Sequence, residues 1–336
     1  MTRRAIFFVA FSWIGAALSG AAPRAAPTLD LHAALRELAS KASGTLGVSV
    51  LHVESGETAA VHGDDWFPMM SVYKLPIAIH ALRQAEKGAL DLSRRMTLGA
   101  EERRPGLSPL ARTIEKDGPQ VLTVRALVSS VVRISDNTAS DALLRVAGGP
   151  GAVQNTLREL GLAGINVDRY ELEFAADYYG VSLERVGPYS LERFADAVER
   201  VPVAARRKAA AAYLSDRRDS AQPAAMAALM ARLVKGELLD KTNTAWLLDE
   251  MAQMHSRDSR LRAGLPSGIR SFVRPGTSGE TGGIRAAHND NVIVVLPDGR
   301  HLVIAAFLKG SRGDEASRDA TLAEVARTAY RWATDR

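Results

Sequence analysis

The spacing of apolar residues changes character twice along this chain. Residues 29–42 place Leu31, Leu35 and Leu38 at intervals of three and four, which predicts an amphipathic helix. Two apolar stretches follow, 46–53 and 57–62, separated by Glu54-Ser55-Gly56, and read as the strands of a hairpin. From about residue 71 to 261 the period is helical, with helices predicted over 71–87, 123–134, 138–146, 152–160, 191–200, 224–234 and 241–254. Gly148-Gly149-Pro150-Gly151, Gly161 and Gly236 punctuate this stretch. Beyond Pro266 strands return over 269–274, 291–296 and 301–309, the last two joined at Pro297-Asp298-Gly299-Arg300, and a helix over 316–333 ends the chain. The order predicts an α+β fold. Residues 27–68 and 266–336 would build one antiparallel sheet flanked by helices, residues 69–265 an inserted all-α lobe, with a cleft between them.

Composition narrows the function. With 336 residues, 46% hydrophobic and 24% charged, the chain can bury a full core. Residues 1–26 pair Arg3 and Arg4 with the apolar run 5–18 and then small residues, the three parts of a secretory signal, and the run is shorter than the ~20 residues that span a bilayer. Cleavage there would remove three arginines and no acid, so the formal charge would fall from +5 to +2. The basic clusters Arg206-Arg207-Lys208 and Arg217-Arg218 lack interleaved aromatics and read as solvated faces, not as a nucleic-acid surface. With no cysteine, disulfides, thiolate catalysis and a lipidated cysteine are excluded. The seven histidines, at 32, 52, 62, 80, 255, 288 and 301, have no metal-ligand spacing, so neither a metal nor an organic cofactor is expected. The expected product is an exported, periplasmic or secreted monomer without a membrane anchor.

Candidate chemistry begins at Ser71-Val72-Tyr73-Lys74. An i, i+3 spacing on a helix stacks the hydroxyl and the amine on one face. A lysine can take a serine's proton only where burial or neighbouring charge lowers its pKa. Ser135-Asp136-Asn137 lies at the junction of two predicted helices, where a hydroxyl and an amide can relay a proton and hold a polar substrate; helix capping is the plainer reading of these residue types. Arg274-Pro275-Gly276-Thr277-Ser278-Gly279 closes a predicted strand.

With these three segments in this order, the chain resembles the class A serine β-lactamases, whose S-x-x-K, S-D-N and K-T-G set they match in part. Ser71-Val72-Tyr73-Lys74-Leu75-Pro76, Ser135 to Asp141, Gly148-Gly149-Pro150, Arg260 to Pro266 and Asn289-Asp290 also look like segments of that family. The resemblance covers most of the mature chain and implies a β-lactamase/transpeptidase-like fold and a small-molecule β-lactam substrate. It implies that Ser71 is acylated while Lys74 exchanges its proton, and that the N–H groups of Ser71 and Thr277 hold the oxyanion, worth ~3 kcal/mol per donor. Ser135 would protonate the departing nitrogen, and Asn137 would hold the substrate's amide. Glu171, in Asp168-Arg169-Tyr170-Glu171-Leu172-Glu173, would activate the water that frees the acyl-enzyme, with Glu173 as a nearby decoy.

Three departures qualify the resemblance. Arg274 replaces the usual lysine and would pair a substrate carboxylate with its fork, while Pro275 replaces a threonine hydroxyl. Carboxylate binding would then fall to Arg274, Thr277 and Ser278, with His288 as a helper, and Gly276 is expected among the substrate-binding residues. Leu172 stands where a proline commonly follows the glutamate, and Ala175 where an asparagine would help to hold the water. Residues 181–220 are a longer connection than usual, expected to add one or two helices as packing or as part of the cleft. A covalent β-lactam binder with little turnover, or a D,D-peptidase acting on peptidoglycan, is the alternative; Glu171 argues against both.

Overall fold

The computed structural model describes residues 29–254 and 259–335; the expected signal, at 1–26, and His255 lie outside them. The main sheet runs in the order Thr58–Val61, Thr45–His52, His301–Ser311, Ile284–Val295, Ser271–Val273, all antiparallel, so strands from both chain ends share one sheet as expected. Its faces follow the period of two. Val303, Ala305 and Phe307 pack toward the helical lobe, while Leu302, Ile304 and Ala306 pack toward the terminal helices Leu31–Lys41 and Glu315–Thr334. Because both faces are covered, the strand reads as a continuous apolar run.

The central helix of the lobe, Lys74–Glu86, is buried on every side from Lys74 to Leu82. It is preceded by the 3₁₀ turn Met70–Tyr73, in which residues three apart eclipse, so Lys74 stands over Ser71 more directly than an α-helix would place it. The helix predicted over 123–134 is α only through Val124–Ser129 and ends in a π turn, Ser130–Ile134. That turn directs the Val131 and Val132 carbonyls toward Arg274, whose Nη1 donates to both.

Three differences from the sequence-based expectation have physical causes. The strand expected over 291–296 begins at Ile284, because Asn289 and Asn291 point inward and donate to the Pro68, Met69 and Arg274 carbonyls; polar residues here do a strand's work. A hairpin of Arg95–Leu98 and Gln120–Thr123 had no signal, being two four-residue edges set around a helix, Pro109–Asp117. Glu171 opens a helix, Glu171–Tyr179, where none was predicted, and Leu172 follows it through a trans peptide. Residues 181–220, expected as an extra connection with one or two helices, form three, Leu183–Val186, Leu191–Arg200 and Val203–Tyr213, which back that helix: Phe194 packs on Ala175 and Ala176, and Tyr213 on Phe174 and Tyr178. The whole excursion is pinned at its neck by Arg169, whose Nε lies 2.6 Å from Asp219 Oδ2, while Asp219 Oδ1 accepts from the Asp168 and Arg169 N–H groups.

Candidate active site

Ser71 and Lys74 meet at the junction of sheet and helical lobe. Lys74 is fully buried, and its Nζ lies 3.3 Å from Ser71 Oγ, 2.9 Å from Glu171 Oε1, 2.5 Å from Asn137 Oδ1 and 2.8 Å from the Ser135 carbonyl, with Ser135 Oγ at 3.5 Å. Five oxygens face an amine that has three N–H groups when charged and two when neutral. Burial lowers the lysine's pKa, and the Arg274 charge lowers it further, against the opposing pull of Glu171. The amine is therefore suited to exchange a proton with the hydroxyl beside it.

The Ser135-Asp136-Asn137 segment serves both readings. Asp136 caps helix Asn137–Val146, its Oδ1 accepting from the Ala139 N–H at 2.9 Å. Ser135 takes a left-handed conformation, φ 63°, which turns the segment so that both Ser135 and Asn137 face Lys74. Met70, just before the nucleophile, is also left-handed at φ 50°; such strain in non-glycine residues gathers at functional sites.

Glu171 is buried, held by its own N–H donating to Asp141 Oδ1 at 2.6 Å. Glu173 is exposed and accepts from the Tyr170 N–H at 2.9 Å, a helix-capping contact, so geometry separates the two carboxylates. Ala175 follows one turn after Glu171 on the cleft wall and offers the space no polar atom. Phe174, Tyr178 and Tyr179 add an aromatic lining, and Tyr178 Oη donates to the Gly279 carbonyl at 2.9 Å.

Strand alternation sets the direction of the Thr277 N–H. The N–H groups of Arg274 and Ser278 donate to the Asn291 and Ala287 carbonyls of the neighbouring strand, so those of residues 275 and 277 point the other way. Proline at 275 thus forfeits no ladder bond, and the Thr277 N–H faces the site. Ser71 lies in the first turn of its helix, where N–H groups have no intrahelical acceptor. Gly276 does different work from substrate contact. A Cβ there would lie 2.3 Å from the Met69 carbonyl, so glycine lets this strand approach the segment carrying Ser71.

Three expectations for carboxylate binding are corrected. Arg274 is fully buried and four of its five N–H groups are committed: Nε to the Ser71 carbonyl at 2.8 Å, Nη1 to Val131 and Val132 at 3.1 Å each, Nη2 to Ser135 Oγ at 2.8 Å. Its fork has no pair of donors left for a carboxylate, and burial brings its pKa down to about 10. Ser278 turns its hydroxyl inward, donating to the Gly279 carbonyl and accepting from the Ala287 N–H. His288 is buried with Nε2 2.7 Å from Asp319 Oδ1; burial and Arg260, Arg318 and Arg285 push its pKa down to about 3. Arg260, whose segment resembles the family but which was given no role from the sequence, reaches the same strand: Nη2 donates to Thr277 Oγ1 at 2.7 Å, Nη1 to the Asn289 carbonyl at 3.0 Å, and Nε lies 3.6 Å from Asp319 Oδ1. Nothing in its spacing marks it, because it reaches the strand from a segment between two lobes.

A serine beside a buried lysine, two backbone N–H groups facing it and a carboxylate behind the lysine, set between an antiparallel sheet and a helical lobe, define a serine hydrolase that acts through an acyl-enzyme. Residues 30–333 match the model of the family described as the β-lactamase enzyme family. Extended-spectrum β-lactamase PER-1 of Pseudomonas aeruginosa is 28% identical over 289 residues, covering 86% of this chain and 82% of its own. β-Lactamase L2 of Stenotrophomonas maltophilia is 31% identical over 290 residues, covering 86% and 81%. The structure of an ancestral class A β-lactamase superposes with a TM-score of 0.71 at 31% identity, covering 89% of this chain and 98% of that one. The chain belongs to the β-lactamase enzyme family and is a class A serine β-lactamase.

Proposed function

We propose that this enzyme hydrolyses the amide bond of β-lactam antibiotics through an acyl-enzyme on Ser71. The observation that carries the proposal is the position of Lys74 Nζ, 3.3 Å from Ser71 Oγ and 2.9 Å from Glu171 Oε1. Ser71 Oγ attacks the lactam carbonyl as its proton passes to Lys74, and the Ser71 and Thr277 N–H groups hold the oxyanion. The C–N bond then breaks, and Ser135, joined to both Lys74 and Arg274, delivers a proton to the nitrogen. Glu171 takes a proton from the water that attacks the ester, which frees Ser71 and the ring-opened acid. Asn137 binds the substrate's amide. Arg274 supplies positive charge and holds Ser135 instead of gripping the carboxylate itself.

Hydrolysis of a chromogenic cephalosporin by residues 27–336, with Ser71→Ala as control, tests the proposal. Steady turnover lost in the control supports it. A single burst of about one equivalent would mean a covalent binder, and no burst would turn attention to peptidoglycan peptides. Export belongs to the same proposal, since the pattern of residues 1–26 calls for cleavage, and the mass of the exported protein reads it; among the described residues no helix is long and apolar enough to cross a membrane.

Arg260 takes the carboxylate-binding role. Charged hydrogen bonds contribute about 1.5–3 kcal/mol, so Arg260→Ala is expected to raise KM for a penicillin by roughly ten- to a hundredfold with kcat little changed. An unchanged KM in steady-state kinetics would place the anchor elsewhere.

A further inference from the structure

We propose that Tyr189, in the inserted segment, is a positioning residue whose hydroxyl holds residues 103–107 at the cleft rim, so that Pro105 keeps the Asn137 amide turned toward the substrate. The inference rests on the hydrolytic reading above and concerns a part of the chain that lies outside the reacting groups.

Pro105, Gly106 and Leu107 line the same cleft as Ser71 and Glu171, yet residues 103–107 belong to no helix or strand, and Leu107 is 54% exposed. Such a rim keeps its shape only through what it is tied to. On the inner side, the Arg104 N–H donates to Thr138 Oγ1 at 3.0 Å and the Asn137 N–H to the Leu107 carbonyl at 2.9 Å. On the outer side, the tie is the insertion: Tyr189 Oη donates to the Arg103 carbonyl at 2.5 Å, and the Arg104 guanidinium lies over the Tyr189 ring, 5.2 Å from its centroid. The Glu192–Arg103 ion pair, 2.6 Å long, adds little because Glu192 is largely exposed.

The rim matters because of what Pro105 holds. Asn137 Nδ2 donates to the Pro105 carbonyl at 2.7 Å while its Oδ1 accepts from Lys74. Those two partners set which end of the amide faces which way; the flipped amide would put donor against donor at Lys74 and acceptor against acceptor at Pro105. A second branch leaves the rim through Arg104, whose Nε lies 2.5 Å from Asp141 Oδ2, and Asp141 in turn accepts from the Glu171 N–H. The insertion can bear this load because its helix Leu191–Arg200 is seated by Phe194 on Ala175 and Ala176 of the Glu171 helix. It works as a strut between the rim and the Glu171 helix.

Tyr189→Phe in the mature protein tests this, because the ring and its packing remain and only the hydroxyl is lost. Two probes are compared: benzylpenicillin, which carries an amide side chain, and 6-aminopenicillanic acid, which lacks it. KM for benzylpenicillin should rise roughly three- to tenfold with kcat within about twofold, as befits one lost hydrogen bond, and KM for 6-aminopenicillanic acid should not move. Amide hydrogen exchange should quicken at 103–107 and stay unchanged across 171–179. Glu192→Gln serves as a comparison and should change neither readout by more than about twofold. Unchanged exchange at 103–107, or an equal rise in KM for both probes, overturns the proposal. Should wild type turn over neither probe, the hydrolytic reading fails on its own, and the exchange data still decide whether Tyr189 holds the rim.

Discussion

Glu171→Gln is expected to leave an enzyme that acylates but hardly turns over, with kcat reduced by about a thousandfold. The glutamine keeps the shape of a side chain that is almost wholly buried and lies 2.9 Å from Lys74, but it cannot take a proton from water. General-base catalysis typically contributes about 10²–10⁴-fold. Intact-mass measurement after mixing with a penicillin should show a persistent adduct of one substrate mass in the variant and none in wild type. An equally persistent adduct on wild type would remove Glu171 from deacylation. The same variant makes a pH prediction with a definite sign. The Glu171 carboxylate raises the pKa of Lys74 against the larger effect of burial. Neutralising it lets the lysine's pKa fall further, so acylation of the variant should persist to lower pH than acylation of wild type. A shift of the acid limb to higher pH would contradict Lys74 as the proton acceptor.

The second large effect is on stability. Arg169→Met should lower the melting temperature by about 10 °C at pH 8. The Arg169 guanidinium is buried among Asp219, Asp177 and Asp216, at 2.6, 2.6 and 3.2 Å. Breaking a buried pair from one side costs about 3–5 kcal/mol because the other charge is left uncompensated, and about 2–4 °C accompany each kcal/mol in a chain of this size. Burial already raises the Asp219 pKa to about 6, against Arg169, which lowers it. Without the arginine it rises further. A carboxylate whose folded pKa exceeds its unfolded value near 3.9 binds its proton more tightly when folded, so protonation relieves the buried charge as pH falls through that range. The gap in melting temperature between wild type and Arg169→Met should accordingly be widest at pH 8 and narrow at pH 5. A gap independent of pH would mean that the arginine acts through packing alone.

What could be read in advance follows the range of the interactions involved. Helix Leu191–Arg200 was placed to the residue because Phe194 and its neighbours repeat with a clean helical period against one buried side. Helix Glu171–Tyr179 was missed although it carries Glu171, the carboxylate proposed to act in deacylation. It is packed on two sides, by Ala175 and Ala176 against Phe194 and by Phe174 and Tyr178 against Tyr213, so its apolar residues show no single stripe. The polar half of strand Ile284–Val295 was missed for a related reason: its asparagines pay for burial with hydrogen bonds to backbone that arrives from elsewhere in the chain.

The sequence by itself determined the architecture, the pairing of Ser71 with Lys74, and the proximity of Ser135, Asn137 and Glu171 that the family resemblance implied. Those depend on local periodicity, on three-residue spacing along a helix, and on motif order. Only the tertiary structure decided that Arg274 has no pair of donors left for a carboxylate and that the Ser278 hydroxyl turns inward. Arg274 is occupied by carbonyls from a π turn about 140 residues away, Ser278 is turned inward by the strand beside it, and Arg260 reaches Thr277 from outside the motif. Hydrogen-bond donors are finite, and where they are spent is settled by groups that meet only when the chain has folded.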